Sequence, residues 1–423
     1  MKHLLRNWVL AALTVMARRQ LKRIQPIVIA VTGSAGKTST KECIAAVLER
    51  KFNVLKSSGN MNTEFGAALT ILRQPKAYTA QEWAKVLWDS VKTCLKKPVL
   101  FDRFVMETGV DKPGDMNAIV QVVRPDMAVF LNVKEVHLGE GQFANRQAIF
   151  EEKARLCYAV PKEGWVVLNQ DDAFVKQLMG KLPANTITIG TEESCDLRAK
   201  HIKSSTDGLK FTLCYEDKEL PVILPCVMGE AHVSMALAAI AVGFVHGMSW
   251  RAIELALQDF HLPSGRMNRI EGKNGSTIID SSYNASPETM EAGLNVLSEM
   301  GGRRIAALGT MNSLGSLSES AHLKIGKLAA KHADMLLAVG EQAALIAEGA
   351  ARAGMSTSST HVFRTSKEAG EFLSGILERG DTVLAKGSQD KVRMEHLVKV
   401  CMKDPSLAGK LLVRQDSYWL IHP

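Results

Sequence analysis

At 423 residues, with 46% hydrophobic and 23% charged residues, the chain is long for one domain and holds apolar material for two sizeable cores. Its formal charge of +8 is spread along the chain and not gathered into a binding stripe, which excludes nucleic acid as the expected partner. Seven cysteines without a close-spaced pair exclude a disulfide scaffold and predict reduced thiols in a cytoplasmic protein.

The chain opens on a mostly apolar run from Trp8 to Ala17, preceded by Lys2 and Arg6 and followed by Arg18-Arg19-Gln20-Leu21-Lys22-Arg23. The run is shorter than the roughly twenty apolar residues a bilayer crossing takes. A helix within residues 1–25, packing on the domain that follows, is the first expectation. A basic amphipathic helix can also lie on a membrane, so peripheral membrane contact through residues 1–24 is the second.

Next comes Ile27-Val28-Ile29-Ala30-Val31, a β-branched run leading into Thr32-Gly33-Ser34-Ala35-Gly36-Lys37-Thr38-Ser39. Strand, glycine loop and helix start in this order form a phosphate-binding loop. Backbone NH groups and the helix dipole favour a phosphate chain there, Lys37 neutralises its outer phosphates, and Thr38 reaches Mg²⁺. Val31 stands where the strict motif has its first glycine, which makes this a variant loop.

Further strands are expected at 103–106, 127–131 and 165–168, alternating with helical stretches in the rhythm of a mostly parallel sheet. Glu107 ends the first of these runs, and His137 lies beyond the second, so both fall where open α/β sheets build their sites. Thr38, Glu107 and His137 together suit a hard cation beside phosphates. Pro263-Ser264-Gly265-Arg266 interrupts the pattern, and a second series of strands begins at 277–279, 304–308 and 382–384. The expected division is therefore 1–25, 26–262 and 263–423. Ser356-Thr357-Ser358-Ser359-Thr360 reads as a loop.

These residues resemble the Mur ligase family, and within it the MurF branch, which joins D-alanyl-D-alanine to a UDP-muramoyl tripeptide. The resemblance runs from about Ile27 to Glu395. It is carried by the 32–38 loop, Gly59-Asn60-Met61-Asn62, Glu107-Thr108-Gly109, Asn132-Val133, His137-Leu138, Glu152-Lys153-Ala154, Asn169-Gln170-Asp171-Asp172, Gly265-Arg266-Met267, Tyr283-Asn284-Ala285-Ser286-Pro287, Lys386-Gly387-Ser388 and Met394-Glu395. It implies a P-loop ATPase domain followed by a Rossmann-like C-terminal α/β domain. It also implies ATP-dependent amide formation through an acyl phosphate, between a small-molecule carboxylate acceptor and an amine donor.

By resemblance, Lys37, His137, Lys153 and Arg266 are catalytic, and Lys153 is the lysine that becomes carbamylated and helps place a second Mg²⁺. ATP contacts fall on Gly33 to Ser39, Asn169, Asp172, His232, Arg266 and Asp280. Metal ligands are Thr38, Glu107 and His137, and substrate contacts are Asn60, Asn62, Tyr283, Asn284, Lys386 and Glu395.

The sequence departs from the family pattern in places. Only the short helical segment precedes the P-loop strand, where MurF enzymes have a domain that grips the UDP-sugar. Ser281 replaces the second aspartate of the Asp-Asp-Ser-Tyr-Asn stretch, and Asp280 is the expected substitute. Gly229-Glu230-Ala231-His232, with Met235, departs from the adenine-side pattern, and Thr310 and Ser313 replace two acids of a further stretch. A different or smaller acceptor follows as the leading expectation. A cell-wall ligase that holds UDP through a partner or another surface, and a nucleotide-binding regulatory protein of weakened turnover, are its alternatives.

Overall fold

The computed structural model describes residues 2–59, 61–134, 142–205, 207–312, 314–389, 391–416 and 419, with backbone alone at 2–4 and 316. The chain forms two compact units, Met1–His201 with Phe211–Val222 and His232–Gln258, and Ile202–Lys210 with Ile223–Ala231 and Asp259–Pro423.

The first unit begins with α1 (Lys2–Ile24), β1 (Ile27–Thr32), α2 (Lys37–Leu48), β2 (Val54–Lys56), α3 (Glu64–Ile71), α4 (Ala80–Leu95) and β3 (Arg103–Glu107). It continues through α5 (Asp115–Val122), β4 (Met127–Phe130), α6 (Arg146–Tyr158), β5 (Trp165–Asn169) and β6 (Asn185–Gly190). The division between units cuts through the next three strands, β7 (Leu197–Ser205), β8 (Gly208–Tyr215) and β9 (Lys218–Leu224), and α7 (Val233–Val245) and α8 (Trp250–Gln258) complete the first unit. The strands lie in the order β2-β3-β1-β4-β5-β6-β7-β8-β9, with every pair from β2 to β7 parallel. Continuous apolar runs such as Ile29-Ala30-Val31 and Phe104-Val105-Met106 are buried because helices cover both faces of a parallel sheet. β1 sits between β3 and β4, so its C-terminal loop emerges beside the ends of both.

Helix starts follow their caps. Thr79 and Glu82 make a reciprocal capping box at α4, and the Asn145 side chain accepts the Ala148 NH at α6. α1 lays Leu13 and Ala17 into the core of this unit.

The second unit holds β10 (Asn268–Glu271), β11 (Thr277–Ser281), α9 (Pro287–Ser298), β12 (Arg304–Gly309), α10 (Ser318–His332), β13 (Met335–Val339), α11 (Ala343–Arg352), β14 (Thr360–Phe363), α12 (Ser366–Ile376), β15 (Thr382–Lys386), α13 (Glu395–Cys401) and α14 (Ala408–Leu411). Its sheet runs β10-β11-β15-β12-β13-β14, antiparallel only at β10/β11. The expected loop at 356–360 is a 3₁₀ turn over Thr357–Ser359, and Thr360 already pairs with Leu336 as the first residue of β14. Edge pairing to β13 draws that polar residue into a strand that local composition does not announce.

All seven cysteines are free. Among the described residues, no helix is long and apolar enough to cross a membrane.

Candidate active site

The loop after β1 turns sharply into α2. Gly36 caps the helix at φ 81°, a left-handed conformation that a side chain would strain, and the first turn of α2 leaves NH groups without partners inside the helix. Asn132, just beyond β4, braces the loop: its Oδ1 accepts the NH groups of Ser34 (3.2 Å) and Ala35 (2.9 Å), and its Nδ2 donates to the Ala35 carbonyl (3.1 Å). Lys37 folds back so that Nζ donates to the Ser34 carbonyl at 3.3 Å. Ser39 is buried in the first turn of α2.

Thr38 and Glu107 meet although 69 positions separate them: the Thr38 hydroxyl donates to Glu107 Oε2 at 2.6 Å. Glu107 is the last residue of β3, buried to 4% exposure, and its other oxygen accepts from Asn62 Nδ2 at 3.3 Å. Asn62 gets there because position 109 is glycine. A Cβ on Gly109 would stand 2.7 Å from Asn62 Nδ2.

Below this pair, Ser57 Oγ accepts the Glu107 NH at 3.3 Å, and the fully buried Lys41 ammonium donates to the Ser57 carbonyl and pairs with Glu42 at 2.9 Å. From the opposite side, Lys153 on α6 points inward at 2% exposure, and its Nζ donates to the Gly33 carbonyl at 3.1 Å. Burial, with Lys37 as a nearby cation, pushes the Lys153 ammonium down to about 7 from its usual 10.5.

Asn169 and Asp172 stand one step back. Asn169 Nδ2 donates to the Leu131 carbonyl (2.8 Å), and Asp172 Oδ2 accepts the Val133 NH (3.0 Å), so both hold the segment that carries Asn132. Asp172 Oδ1 also accepts the NH groups of Phe174 and Val175. His232 is the N-cap of α7, a helix that packs on α2. His137 and Asn60 lie outside the described residues, as does Ser313. Among the described residues, no group of three His, Cys, Asp or Glu side chains forms a metal cage.

The second unit gathers its own polar residues at the end of β11. Asp280 is fully buried, with Oδ2 accepting the Gly265 NH (3.1 Å) and Oδ1 the Ser282 NH (3.0 Å); burial raises its carboxyl to about 6. Lys386, at the end of β15, donates to Ser281 Oγ (3.1 Å) and to the Asn284 carbonyl (2.9 Å). Burial and the neighbouring Arg266 push it down to about 7.

The Arg266 guanidinium stacks over the Tyr283 ring at 4.1 Å. Glu395 is fully buried between two arginines: Arg393 Nε reaches Oε1 at 3.0 Å, and Arg414 reaches Oε1 and Oε2 at 2.7 Å each. Burial opposes ionisation of Glu395, and the Arg414 bonds and charge outweigh it, so its carboxyl stays below the ordinary carboxylate value. Arg414 also donates to the Ser282 and Tyr283 carbonyls, clamping the loop in front of α9. Asn284 is exposed at the tip of that loop.

Two sequence profiles match this chain, the Mur ligase middle domain over residues 31–243 and the Mur ligase glutamate ligase domain over residues 265–389. The chain belongs to the Mur ligase family. It is similar to the UDP-N-acetylmuramoyl-tripeptide--D-alanyl-D-alanine ligase of Bacillus subtilis, 28% identical over 399 residues that cover 94% of this chain and 80% of that one. It is 32% identical to the ligase of the same name from Mycobacterium tuberculosis over 403 residues, 90% of this chain and 74% of that one.

The crystal structure of MurF from Acinetobacter baumannii superposes with a TM-score of 0.77 at 28% identity, over 92% of this chain and 79% of that one. MurF from Thermotoga maritima in complex with ADP gives 0.76 at 25% identity, over 92% and 83%. The chain is thus a MurF-like member of a family of ATP-dependent ligases, with the mixed α/β middle and C-terminal domains of Mur ligases.

Asn132, Lys41, Ser57, Arg393 and Arg414 have no place among the site residues read from the sequence. Asn132 follows directly after a strand at its C-terminal end, which is a usable signal. Lys41 and Arg414 carry none, because the Ser57 carbonyl that Lys41 meets and the Glu395, Ser282 and Tyr283 groups that Arg414 meets are brought near only by folding.

Proposed function

We propose that this Mur ligase joins an amine to a carboxylate at the expense of ATP, with residues 26–262 handling nucleotide and acceptor and residues 263–423 the amine. The observation that carries the reading is the buried 2.6 Å contact between Thr38 and Glu107 at the mouth of a glycine loop. A hydroxyl and a carboxylate held together beside phosphate-binding NH groups form a hard-oxygen donor set that fits Mg²⁺, which here would be held by Thr38 and Glu107 with His137 as third ligand. When bound, the ion supplies neutralising charge on the transferring phosphates.

The residues do the rest. NH groups of the first turn of α2 bind the phosphate chain, and Lys37 swings from the Ser34 carbonyl to the γ-phosphate, where charge develops during transfer. The acceptor carboxylate oxygen attacks phosphorus and ADP leaves, giving an acyl phosphate. The amine nitrogen then adds to the acyl carbon, and the tetrahedral intermediate expels inorganic phosphate while the nitrogen gives up a proton.

Lys153, with its ammonium near neutrality, has the free amine that carbamylation by carbon dioxide requires. Asn169 and Asp172 act by holding the backbone around Asn132. Arg266, Asp280 and His232 serve the nucleotide, and Asn60, Asn62, Tyr283, Asn284, Lys386 and Glu395 serve the substrates.

Thr310 favours an amine other than the dipeptide named for the relatives. Where the MurF pattern has an acid, its Oγ1 instead accepts the Gln342 NH at 3.1 Å, just ahead of α11. The test is phosphate release from ATP and Mg²⁺ across a panel of carboxylate acceptors and amines. Release that needs both substrates supports ligation, and tight ATP binding without release under any pairing overturns it.

A further inference from the structure

Only one side of α1 is used by the fold. Leu13, Ala17 and Gln20 are buried, and Gln20 Nε2 donates to the Thr93 carbonyl of α4 at 2.7 Å. Arg23 donates to the carbonyls of Cys94 and Lys96, each at 2.8 Å. At the other end, the Arg6 guanidinium lies 5.3 Å over the Phe65 ring, whose other neighbour is Trp83 of α4 at 5.5 Å. α1 and α4 therefore run side by side in the same direction.

Each of these two neighbouring helices also has an open apolar face. Leu5, Trp8 and Val15 on α1 are 66%, 75% and 66% exposed, and Trp88, Val91 and Leu95 on α4 are 64%, 42% and 74% exposed. Their spacing of three, four or seven residues puts each set on one stripe of its helix. Single exposed apolar residues need no explanation, but a stripe bearing a tryptophan on each of two packed helices does.

Charge decides what covers the face. α1 contains no acidic residue, and its stripe runs on into the exposed Arg19 and Lys22. On α4, the Lys92 ammonium sits 5.4 Å over the Trp88 ring and pairs with Asp89 at 3.3 Å, and the exposed Lys96 and Lys97 that follow the stripe supply the net positive charge at its end. Beneath α1, a depression of about 420 Å³ has three cations, Arg18, Lys22 and Arg124, and one acid, Asp126, in its lining. Aromatic rings at a polar-apolar boundary, flanked by cations, complement a phospholipid interface of negative charge. A second copy docked on this face would set the same cations against each other.

We infer that the α1/α4 face seats the protein on an anionic phospholipid surface, as a peripheral contact and not a span. The experiment is co-sedimentation of the full chain with vesicles of phosphatidylglycerol and phosphatidylcholine in equal parts, beside phosphatidylcholine alone, with analytical ultracentrifugation of the free protein. The expected result is binding to the anionic vesicles that weakens as salt rises. Arg19→Gln with Lys22→Gln weakens it roughly thirtyfold, and Trp8→Glu with Trp88→Glu abolishes it at an unchanged melting temperature. Should the tryptophan pair unfold the protein, the salt dependence and the exposed Arg19 and Lys22 still decide. The inference is overturned by equal binding to neutral vesicles, by no binding to either, or by a dimer that the tryptophan changes split while vesicles are ignored.

Discussion

Each unit buries one lysine whose ammonium is driven down to about 7, Lys153 in the first and Lys386 in the second, yet their surroundings differ. Lys153 stands among groups that converge on a glycine loop at the start of a helix: Lys37, Thr38 and Glu107 are tied mainly to each other and to loop backbone. Around Lys386 the neighbouring charges also brace the fold, with Asp280 accepting two backbone NH groups and Glu395 held between Arg393 and Arg414. A buried titratable group is therefore not by itself a sign of chemistry. What separates the two regions is where the chain holds the polar groups around it: beside a glycine loop that opens a helix in the first unit, and around a braced strand end in the second.

The sharpest way to break this comparison is Lys37→Ala. Removing a cation aimed at developing phosphate charge is expected to slow phosphate release by about a thousandfold while leaving thermal unfolding in place. In the second unit, the equivalent blow falls on stability. Arg414→Met takes one partner from a fully buried carboxylate and releases the Ser282 and Tyr283 carbonyls, which is expected to cost about 3 kcal/mol in urea unfolding. A stability loss of that size from Lys37→Ala, or none from Arg414→Met, would erase the distinction. Thr38→Ala is smaller: the magnesium concentration for half-maximal phosphate release rises by about 10- to 100-fold.

A pH effect is the last. Lys386 titrates near 7 in the folded protein and near 10.5 when unfolded, so between these values the unfolded chain binds more protons. Its burial therefore costs stability increasingly as pH falls from about 10.5 to about 7, a cost that is relieved as pH rises across the same window. Lys386→Met is expected to flatten this alkaline rise in the urea midpoint.

Much of the first site was legible because its key signals are local. Ile27 to Thr38 encode strand, loop and helix start within twelve consecutive positions, and Glu107 is marked by ending an apolar run. Alternating apolar strands and helical stretches likewise announced two parallel sheets. Contacts across the fold were not legible. Nothing near Asn132 says that it braces a loop 97 positions away, and Arg414 looks like an ordinary basic residue until its partner Glu395 is seen. The resemblance implies nucleotide contacts at Asn169 and Asp172, and it does not announce their bonds to the Leu131 carbonyl and the Val133 NH. Polar side chains at strand ends serve both purposes, and only their hydrogen bonds tell which.

The claim at the centre of this account is that ATP activates a carboxylate at the Thr38–Glu107 site before the amine attacks. The most direct measurement uses an acceptor whose carboxylate carries heavy oxygen, with mass analysis of the phosphate released during turnover. Transfer of one labelled oxygen into each phosphate, lost in Lys37→Ala, is the predicted result. Unlabelled phosphate released alongside full product formation would contradict an acyl phosphate and the role given to this site.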